Sequence, residues 1–325
     1  MTVIVTGAAG FIGFHVAAAL LDAGEPVVGI DNLNPYYDVA LKRARLAELA
    51  ARPGFTFHET DIADAAAVRA AFCASRPRRV IHLAAQAGVR YSLTHPEDYA
   101  RSNLAGHLNV LEACRHVEGF EHLVYASSSS VYGGSDRIPF REDDPADRPV
   151  SLYAATKRAD EMMSASYAHL YGLPQTGIRY FTVYGPWGRP DMAMWLFADA
   201  ILQGRPVPLF DGGRGRRDFT YVADAVRGTL ALAASPPAGG DPHRVFNLGS
   251  DRPEKVTEVL ALLEAALGRR AVLELLPAQP GDVAVTHADL TAIRQAVGYA
   301  PETPLAVGVP LFARWCLDWS ARAPR

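Results

Sequence analysis

Short hydrophobic runs alternate with longer amphipathic segments along the first half of the chain. Residues 3–5 form the first apolar run, and residues 11–23 follow it with apolar positions at helical spacing. Further runs with the length of buried strands cover residues 26–30, 55–57, 80–85, 123–126 and 174–180, and a helical pattern covers residues 39–51, 96–117 and 151–171. Strands that alternate with helices predict an α/β protein with a parallel, doubly wound sheet.

The alternation weakens after residue 180, where Pro, Gly and Arg become frequent. Such a stretch is expected where a smaller lobe is assembled from loops and insertions. We therefore predict a first domain over residues 1–180, and a smaller ligand-binding lobe made mainly of residues 181–325. Some segments of the second part are expected to return to the first domain. Helices predicted at 255–267 and 305–319 are assigned structural roles.

Composition and charge are those of an ordinary globular protein. Of the 325 residues, 49% are hydrophobic and 21% are charged, and a formal net charge of −3 provides no basic surface for DNA or RNA. Cys73, Cys114 and Cys316 lack metal-ligand spacing, so we expect buried, reduced thiols and no metal site. No apolar run could span a bilayer, and the first strand leaves no room for a signal peptide. We predict a cytoplasmic protein.

A glycine-rich turn joins the first strand to the first helix. Gly7, Gly10 and Gly13 have the spacing G-x-x-G-x-x-G, and Phe11 and Ile12 begin the helix between them. Glycines at these positions permit a tight turn, let the backbone approach a pyrophosphate, and place the phosphates at the helix N-terminus. This strand–turn–helix arrangement predicts a dinucleotide-binding domain of the Rossmann type.

Asp31 ends the second strand and indicates which dinucleotide binds. A carboxylate at this position suits hydrogen bonding to the adenosine ribose hydroxyls, and it repels the 2′-phosphate of NADP. The predicted cofactor is therefore NAD. Asn32, Tyr36 and Lys42, which follow in a polar loop and helix, are candidates for contacts with adenosine. Asp61, after the third strand, could reach the adenine edge.

The fourth strand runs into a loop of small residues. Ala84 and Ala85 would let the backbone approach the nicotinamide half of a dinucleotide, where open α/β sheets bind their ligands. Arg90, farther along the loop, could face a phosphate. His82 lies inside the apolar run, so we predict a core histidine and not a catalytic one.

Tyr153 and Lys157 are four residues apart and lie on one face of a predicted helix. The lysine ammonium would favour the phenolate form of the tyrosine, which could then act as a base near neutral pH. The fifth strand leads into four serines, residues 127–130, at the same end of the sheet. A serine hydroxyl beside Tyr153 could share a hydrogen bond with a reacting alcohol.

The glycine turn, Ser128 and the Tyr153-x-x-x-Lys157 pair together resemble the extended short-chain dehydrogenase/reductase superfamily. The resemblance covers nearly the whole chain, and residues 29–38, 82–92 and 180–193 resemble UDP-glucuronate 4-epimerases most specifically. It implies conversion of UDP-glucuronate to UDP-galacturonate through a 4-keto intermediate, with NAD recycled in the site, by a homodimer that pairs helices 96–117 and 151–171. Phe14 departs from the family pattern, in which a small residue such as Ser is usual.

The resemblance also assigns roles to individual residues. Tyr153 is the base, Lys157 its electrostatic partner and a ribose ligand, and Ser128 the hydroxyl that holds the sugar O4. Besides the glycine turn and Asp31, cofactor contacts are implied for Asn32, Asn34, Tyr36, Lys42, Asp61, Ile62, Leu83, Ala84, Ala85, Gln86, Ser127, Tyr180 and Val183. Substrate contacts are implied for Arg90, Ser128, Ser129, Thr182, Arg189, Arg217 and, over the uridine ribose, Gln279 and Asp282. Arg189 is expected to bind the sugar carboxylate and Arg217 the diphosphate.

Other activities are compatible with parts of the pattern. UDP-glucuronate decarboxylases resemble this chain but carry an acidic residue in the turn after the catalytic hydroxyl, where Ser129 and Ser130 stand here. A 4-epimerase for neutral UDP-hexoses would not need Arg189 and typically has Asn at the position of Thr182. A non-catalytic NAD-binding sensor is disfavoured by the intact tyrosine–lysine pair.

Overall fold

The structure is a computed structural model, and it describes residues 2–277 and 283–322. Its strands are β1 (Val3–Thr6), β2 (Val27–Asp31), β3 (Phe55–Glu59), β4 (Arg79–His82), β5 (His122–Ser128), β6 (Gln175–Tyr180), β7 (Thr182–Tyr184), β8 (Pro206–Phe210), β9 (Arg216–Tyr221), β10 (His243–Leu248), β11 (Pro253–Lys255) and β12 (Val272–Leu276). Its α-helices are α1 (Phe11–Asp22), α2 (Val39–Ala50), α3 (Ala65–Ser75), α4 (Pro96–Tyr99), α5 (Gly106–Arg115), α6 (Leu152–Tyr171), α7 (Ala193–Gln203), α8 (Val222–Ala233), α9 (Val256–Leu267), α10 (Thr291–Val297) and α11 (Leu305–Arg322). A π-helical segment (Ala100–Ala105) joins α4 to α5.

Within the described residues, seven parallel strands form the central sheet, in the order β10-β6-β5-β4-β1-β2-β3. Neighbouring side chains of β1 alternate between its two faces: Val5 packs in the core that includes Phe14, whereas Ile4 packs in the core that includes Phe72 and Leu111. Helices therefore cover both faces, which confirms the predicted doubly wound α/β fold. The strand order reverses between β1 and β4, and a crevice is expected beyond their carboxyl ends.

The second half of the chain builds a lobe and also returns to the central sheet. Strands β7, β9 and β11 form one small sheet, and β8 pairs with β12 in another. Helices α7, α9 and α11 enclose an apolar core that includes Phe197, Leu263 and Val309. Strand β10 extends the central sheet by pairing with β6, and α8 packs against α1. The chain beyond residue 180 thus contributes to both parts of the molecule.

The burial of the cysteines differs from the prediction at one position. Cys114 and Cys316 are buried, but Cys73 is exposed. The prediction for Cys73 was wrong because this residue lies on the outer side of α3, whose buried side is formed by Val68 and Phe72. None of the helices in residues 2–277 and 283–322 is long and apolar enough to cross a membrane.

Candidate active site

A cleft of about 270 Å³ opens beyond the carboxyl ends of the central strands. The predicted site residues that line it are Gly7, Gly10, Phe11, Ile12, Gly13, Asp31, Asn32, Asn34, Tyr36, Lys42, Ile62, Leu83, Ala84, Ala85, Gln86, Ser127, Ser128, Tyr153, Lys157, Tyr180, Val183 and Arg189. The glycine turn follows β1 and the small-residue loop follows β4, so the cleft lies where the strand order reverses.

The glycine turn has no room for side chains. Gly7 has a φ of +72°, and a Cβ built on it would lie 2.7 Å from the backbone nitrogen of Ala84. A Cβ on Gly13 would lie 2.0 Å from the carbonyl oxygen of Gly7. Both separations are far below van der Waals contact, so only glycine fits. The close approach leaves the first residues of α1, Phe11 and Ile12, in the wall of the cleft, where a helix N-terminus can bind phosphate.

Asp31 is held in place at the end of β2. Its carboxylate accepts hydrogen bonds from the backbone N–H of Ala9 (3.2 Å) and of Leu33 (2.9 Å), and Lys42 lies 4.0 Å away. Burial raises the pKa of Asp31 and lowers the pKa of Lys42, and the attraction between the two groups opposes both shifts. The Asp31 carboxylate is therefore a hydrogen-bond acceptor of fixed orientation in the cleft wall. It lies at the end of β2, the strand next to the one that leads into the glycine turn.

Helix α6 places Tyr153 and Lys157 in the cleft wall. Ser151 caps the helix, because its Oγ accepts a hydrogen bond from a backbone N–H of the first turn at 3.1 Å. The Lys157 ammonium donates to the carbonyl oxygen of Ala126 (3.0 Å), which is part of β5, and to Oδ2 of Asp160 (3.1 Å). These contacts fix the ammonium at the end of β5, one helical turn from the phenol.

The serines after β5 have different partners. The Ser127 hydroxyl donates to Oε1 of Glu161 at 2.6 Å. The Oγ of Ser128 accepts a hydrogen bond from the N–H of Ser130 at 3.2 Å, so its own O–H can donate toward the cleft. Ser129 lies outside the cleft lining. The geometry favours Ser128 for contact with a substrate hydroxyl.

Arg189 reaches the cleft from the loop after β7. Its Nε and Nη2 donate to Oδ1 and Oδ2 of Asp191 at 3.0 and 2.9 Å, and the Tyr36 hydroxyl donates to the same Oδ2 at 3.0 Å. Burial works to lower the pKa of Arg189, but the pKa lies above its ordinary value, and Asp191 is the main group that raises it. Asp191 was not among the predicted site residues, although it stands only two positions after Arg189.

Asp61 and Thr182 lie near the cleft but outside its lining. Asp61 accepts a hydrogen bond from Nδ2 of Asn32 at 3.2 Å and forms an ion pair with Arg101 at 2.9 Å. Thr182 lines a separate small pocket of about 30 Å³ that also includes Arg189.

Arg90 and Arg217, two further predicted substrate residues, lie outside the cleft lining. The guanidinium of Arg90 lies over the ring of Phe210, 4.9 Å from its centroid. Nη1 of Arg217 donates to backbone carbonyl oxygens at 3.0 and 3.3 Å. Gln279 and Asp282 lie outside the described residues.

Arg45 is a buried residue beside the site that the sequence did not reveal. Helix α2 is rich in Arg and Lys, yet Arg45 is 0% exposed. Its guanidinium donates to the carbonyl oxygens of Ala9 (2.8 Å) and Trp187 (2.6 Å), and so joins the glycine turn to the loop that carries Arg189. In the sequence, Arg45 stands four residues after Leu41 and four before Leu49, and this helical spacing with two apolar residues indicates burial.

The cleft lining also includes residues for which the sequence predicted no role. They are Tyr37, Thr60, Ala87, Ser102, Ala126, Phe181 and Met192.

Phe14 belongs to the packing between α1 and the Arg189 loop. It is 4% exposed, and its ring lies 5.4 Å from that of Trp187. Trp187 in turn contacts Trp315 and Trp319 of α11, with ring centroids 5.5 and 5.7 Å apart. Phe14 lies outside the cleft lining, so the larger side chain contributes to packing at this position.

The geometry of the cleft agrees with a comparison of the chain with known families. Residues 3–249 match the NAD dependent epimerase/dehydratase family. The chain belongs to this family. Membership confirms the predicted superfamily resemblance and the prediction of an NAD-dependent enzyme of the epimerase type.

Relatives of this epimerase/dehydratase family member are similar over nearly its whole length. UDP-glucuronate 4-epimerase 3 of Arabidopsis thaliana is 46% identical, over 98% of this chain and 77% of the relative. A probable UDP-glucuronate 4-epimerase of Rhizobium meliloti (strain 1021) is 44% identical, over 97% and 96%. The crystal structure of UDP-glucuronic acid 4-epimerase from Bacillus cereus, in complex with UDP-glucuronic acid and NAD, is 32% identical, with a TM-score of 0.91 over 98% and 100%.

Proposed function

We propose that this chain interconverts UDP-glucuronate and UDP-galacturonate by NAD-dependent epimerisation at C4 of the sugar. The observation that carries the proposal is that Arg189 and Tyr153 line the same cleft. A guanidinium beside the base suits a sugar that bears a carboxylate. Relatives named as UDP-glucuronate 4-epimerases support the same substrate. In this proposal residues 1–180 bind NAD, and residues 181–325 mainly bind the UDP-sugar.

The residues of the cleft fit NAD. The glycine turn brings backbone and the N-terminus of α1 to a pyrophosphate, and Asp31 suits the adenosine ribose hydroxyls while repelling a 2′-phosphate. The Lys157 ammonium has three N–H groups, and its bonds to Ala126 and Asp160 leave one for the second ribose. When bound, NAD supplies the acceptor and donor of the sugar C4 hydride.

Tyr153 acts as the base in the proposed reaction. As a phenolate it takes the proton of the C4 hydroxyl, while the Ser128 O–H donates a hydrogen bond to O4. Lys157 favours the phenolate because the opposite charge is one turn away. After the flat 4-keto sugar turns over, the hydride returns to the opposite face of C4 while the phenol of Tyr153 returns the proton to O4, and the opposite configuration results.

Arg189 protects the keto sugar in this scheme. A 4-keto sugar with a carboxylate at C5 is a β-keto acid and loses carbon dioxide readily. Asp191 holds Nε and Nη2 of Arg189, and Nη1 can donate to the sugar carboxylate. Holding the carboxylate bond near the plane of the carbonyl withholds the orbital overlap that decarboxylation needs. Thr182 lines a pocket with Arg189 and is proposed to assist.

The roles of the other substrate residues remain predictions. Arg90 and Arg217 are proposed for the diphosphate, because guanidinium groups match phosphate oxygens at two points. Ser129 is proposed as a helper of Ser128. Gln279 and Asp282 are proposed for the uridine ribose.

Product analysis tests the proposed function. Purified, NAD-saturated protein is incubated with UDP-glucuronate, and the nucleotide sugars are resolved. We expect a mixture of UDP-glucuronate and UDP-galacturonate, and conversion that is about a thousandfold slower with Tyr153→Phe. Release of UDP-xylose would identify a decarboxylase, and conversion of UDP-glucose alone would identify a neutral 4-epimerase. Bound NAD without any conversion would point to a sensor.

We also propose a homodimer that pairs the α4–α5 region and α6 with their counterparts. Leu108 of α5 and Met162 and Leu170 of α6 are 39%, 63% and 63% exposed. Uncovered apolar side chains on neighbouring helices are typical of a protein interface. Light scattering should give a molar mass of twice 35.0 kDa, and Met162→Glu should give monomers.

The cytoplasmic location remains a prediction.

A further inference from the structure

The Lys157 ammonium pairs with the carboxylate of Asp160, which has no part in the reaction proposed above. Asp160 lies about one turn farther along α6, and its Oδ2 accepts a hydrogen bond from Nζ of Lys157 at 3.1 Å. The two side chains are 4% and 1% exposed, so water screens the pair little. The other carboxylate oxygen of Asp160, Oδ1, has no hydrogen-bond partner among the residues that the structure describes.

The next carboxylate on α6, that of Glu161, is paired with two arginines. Glu161 accepts hydrogen bonds from Nε and Nη2 of Arg179, both at 2.8 Å, and from Nη1 of Arg158 at 2.7 Å. These charge-assisted contacts lower the pKa of Glu161 in spite of its burial. Asp160 is therefore the acid that is paired with Lys157.

Groups on the other elements around the pair are uncharged near neutral pH or already paired. His82 of β4 and His107 of α5 stack with their ring centroids 5.3 Å apart, and burial lowers the pKa of both, that of His82 to about 3. Burial raises the pKa of Tyr125 of β5 and of Tyr99 of α4, whose ring lies 6.1 Å from the catalytic phenol. Arg189, another cation that lines the cleft, has its own carboxylate partner, Asp191.

A cation beside a phenol favours the phenolate, and a carboxylate bound to that cation weakens the effect. We propose that Asp160 is a positioning residue that holds the Lys157 ammonium at the end of β5 and offsets part of its charge, so that Tyr153 ionises at a higher pH than it would beside an uncompensated lysine. A phenolate that binds its proton more strongly is the stronger base toward the sugar hydroxyl. The inference rests on the role of Tyr153 in the proposed function and deepens it.

The ionisation of Tyr153 can be measured without any sugar. In NAD-saturated protein, the near-ultraviolet absorbance of tyrosinate is followed during a pH titration, and the titration of a matched Tyr153→Phe protein is subtracted. Asp160→Asn keeps the size of the side chain and an oxygen that accepts from Lys157, but it removes the charge. We expect the midpoint of Tyr153 to move down by about one pH unit. A midpoint equal to or above that of the parent would overturn the proposal.

A matched buried carboxylate controls for a general charge effect. Asp144 is buried and pairs with Arg137 outside the cleft. Asp144→Asn should leave the midpoint of Tyr153 unchanged, and a shift as large as that of Asp160→Asn would overturn a specific role for Asp160. Thermal melting checks the fold of each variant. If Asp160→Asn does not fold, Asp160→Ser, which is smaller and also neutral, serves in its place with the same expected shift.

Activity provides a second readout. The acid limb of the pH profile of kcat/KM for UDP-glucuronate reports ionisation of the base in the free enzyme, so Asp160→Asn should move it down by the same amount as the spectroscopic midpoint. A purely structural role would lower the melting temperature and leave both pH values unchanged, and this would overturn the proposal. If the parent does not convert UDP-glucuronate at all, the proposed function fails, while the tyrosinate titration still decides the role of Asp160.

Discussion

The guanidinium of Arg189 and the carboxylate of Asp191 form a two-point hydrogen-bonded pair in the wall of the cleft, at 3.0 and 2.9 Å. The pair fixes a long side chain in one orientation, so little rotamer entropy remains to be lost when a ligand binds. In the proposed function, a sugar carboxylate meets a cation that is already in place and shares it with Asp191. A neutral sugar has no charge with which to compete for the same guanidinium.

Replacing Arg189 should therefore affect acidic and neutral sugars differently. In a Tyr153→Phe background, where turnover is strongly slowed, Arg189→Gln should weaken the binding of UDP-glucuronate by roughly 10- to 100-fold, since hydrogen bonds to charged groups contribute about 1.5–3 kcal/mol. UDP-glucose should bind as before. Calorimetry with both ligands measures this ratio, and an equal loss for the two sugars would contradict a carboxylate contact. In the active background, Arg189→Gln should also release carbon dioxide.

Tyr153→Phe should slow the interconversion of the two uronates by about a thousandfold, because it removes the group that transfers the proton. Binding of NAD and of UDP-glucuronate should change little, since the ring remains. Tyr167→Phe is a matched control on the same helix, outside the cleft lining. If Tyr153→Phe turned over at the parental rate, Tyr153 would not be the base.

Asp31→Asn should reduce the preference for NAD over NADP by about tenfold or more. The amide keeps one oxygen, which can accept from the N–H of Ala9 or of Leu33 but not from both, and it no longer repels a 2′-phosphate. Equilibrium binding of both dinucleotides to stripped protein measures the preference. Asp22→Asn, in an exposed ion pair with Arg52, is the control. An unchanged preference would place the adenosine ribose away from Asp31.

Phe14→Ala should lower the free energy of unfolding by about 3–5 kcal/mol, because it leaves a cavity against Trp187. Phe14→Leu, which keeps most of the volume, should cost roughly 1–1.5 kcal/mol. Denaturant unfolding followed by tryptophan fluorescence measures both. NAD affinity should stay close to that of the parent, and a large loss of affinity at unchanged stability would assign Phe14 to the phosphate site.

Stability should fall on mild acidification. His82 and His122 are buried and His15 is partly buried, and burial lowers their pKa values to about 3, 4 and 4, from 6.5. Between pH 6.5 and about 5 the unfolded chain binds protons at these positions and the folded chain does not. Unfolding therefore becomes easier as the pH falls, by about 1.4 kcal/mol per pH unit for each proton. Asp160 opposes this loss of stability in part. Burial raises its pKa from 3.8 to about 6, so the folded chain takes up a proton at this position at a higher pH than the unfolded chain does.

Urea unfolding at several pH values between 7 and 5 measures this dependence. His122→Gln should reduce the slope by about one proton, since the glutamine does not titrate. His116→Gln is the matched control, because His116 is 64% exposed and its replacement should leave the slope almost unchanged. A steeper slope in His122→Gln than in the parent would show that the folded protein already carries this proton.

The sequence by itself determined the features that are local along the chain. The period of apolar residues located the first six strands of the central sheet and the helices between them except α3, which it missed. The glycine spacing located the tight turn between β1 and α1, and the position of Asp31 at a strand end indicated NAD. The pairing of Tyr153 with Lys157 follows from helical geometry alone. Each of these depends on neighbours within a few residues, which a linear pattern contains.

Only the tertiary structure decided which charged side chains are buried and what they contact. Arg45 looks like one of several cations on a solvated helix, but it donates to Trp187, which lies 142 residues away. Tyr36 meets Asp191 across 155 residues. Asp160 is 1% exposed against Lys157 because β5 and α5 pack over this part of α6. Such contacts depend on how distant segments pack together, and the periodicity of a single segment carries no record of its distant neighbours.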